Sequence, residues 1–455
     1  MKFSRTCSLV LPTPAPCRRP WRRAGWCATL LVAGLLAGCA HAPLNTPLTR
    51  YKPTEGYRSG PLLDRSPEDE LAVVLFFSGG GTRAAALSYG VLKELAHTDL
   101  PGGARMLDRV EAISAVSGGS VTAAYYCLYG DRVFQDFEMS FLKRDVQGEF
   151  FRSVGSPVNT VRLASARFAR SDLAAEYYDR ILFQGATFGD LLRTPGPRPF
   201  LMINATEMDN FAHFPFTQET FDLLGSDLSS YPISRAIAAS SAIPLVMTPI
   251  TLKNYADPSA IADPPRGYRD IGKRPYIHLL DGGLADNLGV SNLVAAVAAA
   301  GGWDALLRCS VEGKATHVAL IIVNAATPTR AGWSQHPQTP SLAEVASALS
   351  KSTISHTNEI LLDRVREGLD SWRHNLVPGE KRPQVHLINV DFSQLSDPAE
   401  RSYFEHVPTK LNLPDEMVDR VVAIAGRLLR EAPEFRTLLA ELQTAPPSAP
   451  SSYPR

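Results

Sequence analysis

Six short runs of the chain are almost wholly apolar: Leu71–Phe77, Val110–Val116, Phe200–Asn204, Ile277–Leu280, His317–Val323 and Val385–Val390. Runs of this length without an alternating polar face are the pattern of strands covered on both sides. Helix-length segments separate them. Leu87, Val91 and Leu95 recur every four residues after the first run, and Met417, Val421, Ile424 and Leu428 mark a late helix. Ser341 and Glu344 make a capping box ahead of Leu342, Val345 and Leu349. Strands alternating with helices predict an α/β fold in which helices sandwich a mainly parallel central sheet.

The two ends read differently. Arg18, Arg19, Arg22 and Arg23 form a basic block, followed by an uncharged run from Ala24 to Ala37 and then Gly38 and Cys39. That order is a secretory signal, and a run of about 14 residues falls short of the ~20 that a spanning helix requires. Leu36-Ala37-Gly38-Cys39 resembles a bacterial lipobox, with small residues that fit a narrow peptidase site and a thiol that can accept a diacylglyceryl group. Residues 1–38 are therefore expected to be the signal peptide and Cys39 the acylated first residue of the mature chain. Ala40 rather than Asp follows the cysteine, which by similarity to other bacterial lipoproteins implies an outer-membrane, periplasm-facing protein. Residues 39–68, rich in Pro, Thr and Arg, are expected to be a tether, and 441–455, mostly Pro, Ser and Ala at its end, a disordered tail. The interval 69–440 shows no internal repeat and no obvious linker, so one catalytic domain is the simplest organisation.

Composition narrows the function. At 45% hydrophobic and 20% charged the chain is globular in character, and removing the signal leaves 40 basic against 46 acidic residues. That balance offers no broad basic surface for nucleic acid. Cys127 and Cys309 are the cysteines left beyond Cys39 and read as small buried hydrophobes. No HExxH pattern or sequence cluster of His and carboxylates predicts a metal site, and no cofactor is expected.

Three stretches carry candidate chemistry. Leu75-Phe76-Phe77-Ser78-Gly79-Gly80-Gly81-Thr82-Arg83 runs from a strand into a helix. Its glycines let backbone N–H groups converge on an anion at a helix start. A phosphate loop would need GxxxxGK followed by Ser or Thr, which is absent. An oxyanion hole is the other use, with each donor worth roughly 2.7–4 kcal/mol; a plain tight turn would read almost the same. Ile113-Ser114-Ala115-Val116-Ser117-Gly118-Gly119-Ser120 is again strand into helix, and small neighbours allow Ser117 to project from a sharp turn. A Gly-Ser turn opening a helix is its plainer use. Leu279-Leu280-Asp281-Gly282-Gly283 puts a carboxylate at the end of an apolar strand, where open α/β sheets place their sites, although Asp-Gly turns are common.

In that order the three stretches resemble the motifs of patatin-like phospholipases, a glycine-rich loop, a serine elbow and Asp-Gly-Gly. Ala238-Ala239-Ser240-Ser241-Ala242-Ile243-Pro244 resembles the family's Ala-Ser-x-x-x-Pro block. The resemblance spans about Leu71 to Gly289. Ala84 and Ala115 depart from the usual glycines by one methyl each. It implies a patatin-like three-layer α/β/α sandwich and a Ser117–Asp281 dyad that hydrolyses lipid esters without a catalytic histidine. It further implies an oxyanion hole from the N–H groups of Gly79, Gly80, Gly81 and Gly118, with Arg83 fixing the loop or meeting a phosphate. Membrane lipids would be both substrate and anchoring partner.

Counting alone also leaves open a Ser-His-Asp esterase of another α/β fold, since His278, His317, His356, His374, His386 and His406 flank or follow Asp281. An envelope lipoprotein that binds lipid without turnover is a third reading. The aromatics between Cys127 and Phe188 would serve either an acyl groove or helical core packing.

Overall fold

All six apolar runs are strands of one eight-stranded sheet in the computed structural model, which describes residues 44–58, 70–194, 198–256, 268, 270–311, 315–327, 337, 339–374 and 382–444. In chain order the strands are β1 (Leu71–Phe77), β2 (Val110–Val116), β3 (Phe200–Glu207), β4 (His213–Pro215), β5 (Ile250–Lys253), β6 (Tyr276–Asp281), β7 (His317–Asn324) and β8 (Gln384–Asp391). Their order across the sheet is β8-β7-β1-β2-β3-β6-β5, with β4 on β3. The pairings from β8 to β3 are parallel, whereas β6 runs antiparallel to both β3 and β5. The strands β4 and β5, three and four residues long, were too short to stand out in the apolar pattern.

Why the sheet is buried on both faces follows from the parity of its side chains. Val73, Leu75 and Phe77 of β1 join Ala319, Ile321 and Val323 of β7 in one core, while Phe76 joins Val318, Leu320 and Ile322 in another. Alternate residues point to opposite faces, so each face needs its own cover. Helices α1 (Gly81–Ala96), α2 (Ser117–Tyr129), α3 (Ile233–Ser240) and α5 (Asp415–Glu431) pack on the first. The long helix α4 (Leu342–His374) covers the second through Leu361, Val365, Leu369 and Trp372. The result is the expected three-layer sandwich. Each fully buried Phe or Leu contributes roughly 1.5–3 kcal/mol relative to exposure. The Ser341–Glu344 capping box forms, with the Ser341 N–H donating to Glu344 at 2.7 Å and the return bond at 3.3 Å.

The ends depart from expectation. Within the expected tether, residues 44–58 dock on the domain: Thr46–Pro47 pairs with Ser226–Asp227, Arg58 pairs with Asp222 at 2.5 Å in a buried bridge, and Tyr57 stacks on Phe200. These anchors are single side chains without periodicity, which is why the segment read as loose. At the other end helix α6 (Pro433–Thr444) carries Glu441 and buries Leu442, so the domain passes the expected boundary at 440. The signal peptide, Cys39 and residues beyond 444 lie outside the described residues. Among the described residues no helix is long and apolar enough to cross a membrane. The aromatics after Cys127 are mostly core: Phe137, Phe141, Phe150, Phe168, Tyr177, Tyr178 and Phe183 are buried, as is Cys127, while Phe151 is exposed.

Candidate active site

β2 ends at Val116 and α2 begins at the next residue, so Ser117 occupies the turn itself. Its φ is 49°, in the left-handed region that a residue with a Cβ enters at a cost of about 1–3 kcal/mol. Strain of this kind persists only where the surroundings over-determine it, and here they do. The Ser117 N–H donates to Ser240 Oγ at 2.7 Å, and the Ser240 hydroxyl donates to the Asn204 carbonyl at 2.6 Å. Ser120 Oγ donates to the Ser117 carbonyl at 2.5 Å. Sequence reasoning singled out the block around Ser240 only through resemblance; its role is to hold the elbow.

Asp281 reaches the same place by an unexpected route. Its strand is antiparallel, and β6 overlaps β3 only through Ala205, Thr206 and Glu207, which face Asp281, Leu280 and Leu279. On the other side of β3, Asn204 pairs with Val116. The carboxyl end of β6 therefore returns to the row next to that at which β2 ends, bringing Asp281 beside Ser117. Backbone bonds fix it there, from the Asp281 N–H to the Ala242 carbonyl at 3.0 Å and from Thr206 Oγ1 to the Asp281 carbonyl at 2.8 Å.

The carboxylate is buried, 5% exposed beside a serine that is 4% exposed. Oδ1 accepts the Gly283 N–H at 2.8 Å, whereas Oδ2 has no hydrogen-bond partner of good alignment. Burial pushes the Asp281 carboxyl up to about 6, against the pull of the Gly283 N–H and the nearby Ser117 hydroxyl. Ser117 thus lies close enough to favour the ionised form without the geometry of a full hydrogen bond, a contact of the kind that tightens when substrate binds.

The glycine-rich loop packs against this pair. A Cβ on Gly79 would stand 3.3 Å from Ser117 Cβ, and one on Gly118 would stand 2.0 Å from the Gly81 carbonyl oxygen. The starts of α1 and α2 touch, which only glycine at 118 allows. Neither helix has a side-chain cap, so both positive ends converge here. The proposed donors divide. Gly79 is not a free one, because its N–H donates to the Asn287 carbonyl at 3.0 Å. Arg83 fixes the loop, the first of its two expected uses: its Nε donates to the Ala325 carbonyl at 2.8 Å and its Nη1 to that of Val407, so the buried guanidinium ties the loop to two distant segments. Burial lowers its pKa to about 10. Among the described residues no acceptor takes the N–H of Gly80, Gly81 or Gly118.

Among the described residues no histidine bonds to Ser117 or Asp281. His213 Nε2 pairs with Asn204 Oδ1 at 2.9 Å, His278 with Thr251 at 3.1 Å and His317 with Thr316 at 2.9 Å. None of the described histidines therefore completes a Ser-His-Asp arrangement.

A strained serine between strand and helix, a buried aspartate and a glycine-rich loop on an α/β/α sandwich define the patatin-like class. Residues 75–294 match the family described as patatin-like phospholipase, and that segment has the patatin fold. No curated relative matches the chain by sequence. Among solved structures it is similar to human GIVD cytosolic phospholipase A2, at 12% identity over 92% of this chain and 67% of that one, with a TM-score of 0.44. A second structure of that protein, in complex with methyl gamma-linolenyl fluorophosphonate and terbium chloride, gives 14% identity, 85% and 62% coverage and a TM-score of 0.40. A third, with the fluorophosphonate, gives 14% identity, 82% and 59% coverage and a TM-score of 0.38. In two of the three the chain spans less than two thirds of the other protein's length.

Proposed function

We propose that this protein is a lipid acyl hydrolase working through a Ser117–Asp281 dyad. The observation that carries the reading is a serine held at φ 49° beside a buried carboxylate whose Oδ2 has no aligned partner. Asp281 Oδ2 takes the proton as Ser117 Oγ bonds to the ester carbonyl carbon. The carbonyl oxygen becomes an oxyanion facing the N–H groups of Gly80, Gly81 and Gly118. As the carbonyl re-forms, the alcohol leaves with the proton from Asp281. Water then repeats the sequence on the acyl-enzyme, releasing the fatty acid and restoring Ser117. A carboxyl pushed up to about 6 is a stronger base than an ordinary aspartate and still ionised at neutral pH.

The substrate class is supported by the rim. Directly after Ala242, which holds the Asp281 N–H, Ile243, Leu245 and Val246 are 40%, 66% and 50% exposed. Three large apolar side chains presented to solvent beside the base suit contact with acyl chains or a bilayer surface. Together with the lipobox-like Cys39, they support a lipid-anchored protein of the bacterial outer membrane that acts on phospholipid or lysophospholipid esters.

The test is mass spectrometry of the folded protein after a fluorophosphonate probe, followed by product analysis on phospholipids and neutral esters. An adduct on Ser117 and release of free fatty acid are expected, both lost in Ser117→Ala and the release lost in Asp281→Asn. Vesicle binding with no adduct and no release would instead favour a lipid-binding protein without turnover.

A further inference from the structure

At the opposite rim of the sheet three residues from distant parts of the chain come together. His317 is the first residue of β7, His386 the third of the adjacent parallel β8, and Glu441 lies near the end of α6. His317 pairs in register with Leu71, the first residue of β1, whereas the catalytic loop follows Phe77 at its other end. Seven residues of strand put about 20 Å between the two places.

We propose that His317, His386 and Glu441 form a binding site for a divalent transition metal of the zinc class. Glu441 Oε2 lies 3.0 Å from His386 Nε2 and 3.6 Å from His317 Nε2, and the three ligand atoms all fall within 4.8 Å of one another. Nitrogen and oxygen ligands at ~2.0–2.1 Å from a tetrahedral zinc stand roughly 3.3–3.4 Å apart, and the two measured separations straddle that value. The two rings are stacked, with centroids 6.0 Å apart and planes 20° from parallel. Both Nε2 atoms are buried and neither has a hydrogen-bond partner of good alignment. Two buried imidazole nitrogens facing one carboxylate without hydrogen-bond geometry are explained by a cation between them.

The surroundings prepare the ligands. Thr316 Oγ1 lies 2.9 Å from His317 Nδ1 and 3.2 Å from the Glu70 carbonyl, a position in which it can donate to the carbonyl and accept an Nδ1–H. That tautomer leaves the Nε2 lone pair for the metal. The Gln384 amide, with its nitrogen turned to Glu441 as the hydrogen bonding requires, donates to Oε2 at 2.8 Å and Oε1 at 3.1 Å. Such outer partners orient ligating groups. Two cations line the same cavity, and both are engaged: Arg373 by the Val385 carbonyl at 2.8 Å and Asp370 at 3.3 Å, Arg382 by Asp304 at 3.3 Å. Gln384, His386 and Thr437 line a cavity of about 430 Å³ from which water can supply the fourth ligand. Two imidazoles and one carboxylate favour zinc, cobalt, nickel or copper over magnesium or calcium. The metal would fasten α6 to two strands, far from Ser117, as a structural staple.

The experiment uses tag-free mature protein stripped with a chelator. Titration with Zn²⁺ should fill one site per chain and raise the melting temperature, and Co²⁺ should give visible absorption of tetrahedral character. The double variant H317A/H386A should lose affinity more than about 100-fold, and Gln384→Ala, which removes only an orienting bond, roughly 10–100-fold. Fluorophosphonate labelling of Ser117 should persist in both and certifies that they are folded. If the double variant does not fold, Gln384→Ala decides alone. Absence of stoichiometric Zn²⁺ and Co²⁺ binding by the wild type, or unchanged affinity in a folded variant, overturns the site whatever the outcome at Ser117.

Discussion

The N–H of Ser117 is held by the hydroxyl of Ser240 at 2.7 Å, and the carbonyl of the same Ser240 accepts the N–H of Gly282 at 3.1 Å, next to Asp281. One residue therefore sets the spacing between Ser117, the proposed nucleophile, and the segment that carries Asp281, its proposed base. The Ser240 hydroxyl is also fully committed, donating to Asn204 while accepting from Ser117.

Ser240→Ala should for that reason act on turnover rather than on substrate affinity. It removes two buried hydrogen bonds and strands an N–H and a carbonyl, at a cost of about 1–3 kcal/mol for each group left unpaired. We expect kcat on a soluble ester to fall roughly 10–100-fold with KM within about twofold, since a small misplacement of a nucleophile is that costly. Steady-state kinetics beside a thermal melt check this; a rise in KM at constant kcat would show that Ser240 does not position Ser117.

Asp281 links activity and stability to pH with opposite signs. Its folded pKa of about 6 lies above the ordinary value of 3.8, so the native state binds the extra proton between those values. Stability thus falls as pH rises from about 4 to about 6, and the penalty is complete above that range. Turnover needs the ionised form and should climb over an acid limb centred near pH 6. Asp281→Asn should abolish turnover yet raise the unfolding free energy by up to about 3 kcal/mol at pH 8, with little effect at pH 3.5. Denaturant unfolding at the two pH values reads the difference, and equal effects at both would remove burial as the cause.

Most of the fold was legible because buried parallel strands are written as unbroken apolar runs, and β1 and β2 coincide with theirs residue for residue. The placement of Ser117 and Asp281 at strand ends was legible because each terminates such a run. The direction of β6 was not, since a strand's residues do not state which neighbour they pair with, and it is this reversal that carries Asp281 to the row next to Val116's. Donor assignment in the loop failed at Gly79, and which of its two expected uses Arg83 takes was not readable, for the same reason: their partners, Asn287, Ala325 and Val407, lie more than 200 residues away in sequence. His317, His386 and Glu441 share no local spacing, so no metal pattern could be read in advance.

At Gly118 two helix starts meet, and only glycine fits between them. An added Cβ would fall 2.0 Å from the Gly81 carbonyl oxygen, backbone that has no rotamer by which to give way. Gly118→Ala should therefore cost at least about 2 kcal/mol and lower kcat more than 100-fold by parting the loop from Ser117. Gly102→Ala is the control: its φ is +93° but nothing lies within 4 Å of the new Cβ, so only a backbone cost of about 1 kcal/mol is expected. Similar losses of activity in both would mean that close approach is not what Gly118 provides.

The apolar rim separates binding of a lipid surface from chemistry. Ile243, Leu245 and Val246 are exposed and make little of the core, and Leu245 sits at φ 72°, where asparagine is at ease. The triple variant Ile243→Ser, Leu245→Asn, Val246→Ser should keep its melting temperature and its kcat/KM on a short soluble ester within about twofold. On phospholipid vesicles it should lose much more. Transfer of one large apolar side chain from water is worth roughly 1.5–3 kcal/mol, and each ~1.4 kcal/mol of lost surface binding is a factor of ten. A fall of more than about tenfold on vesicles is the expected result even if only one of the three side chains inserts. Equal losses on both substrates would place these residues in the catalytic fold instead, and no loss on vesicles would move the lipid-facing surface elsewhere, with exposed Met208 and Phe211 of the β3–β4 hairpin next to be replaced.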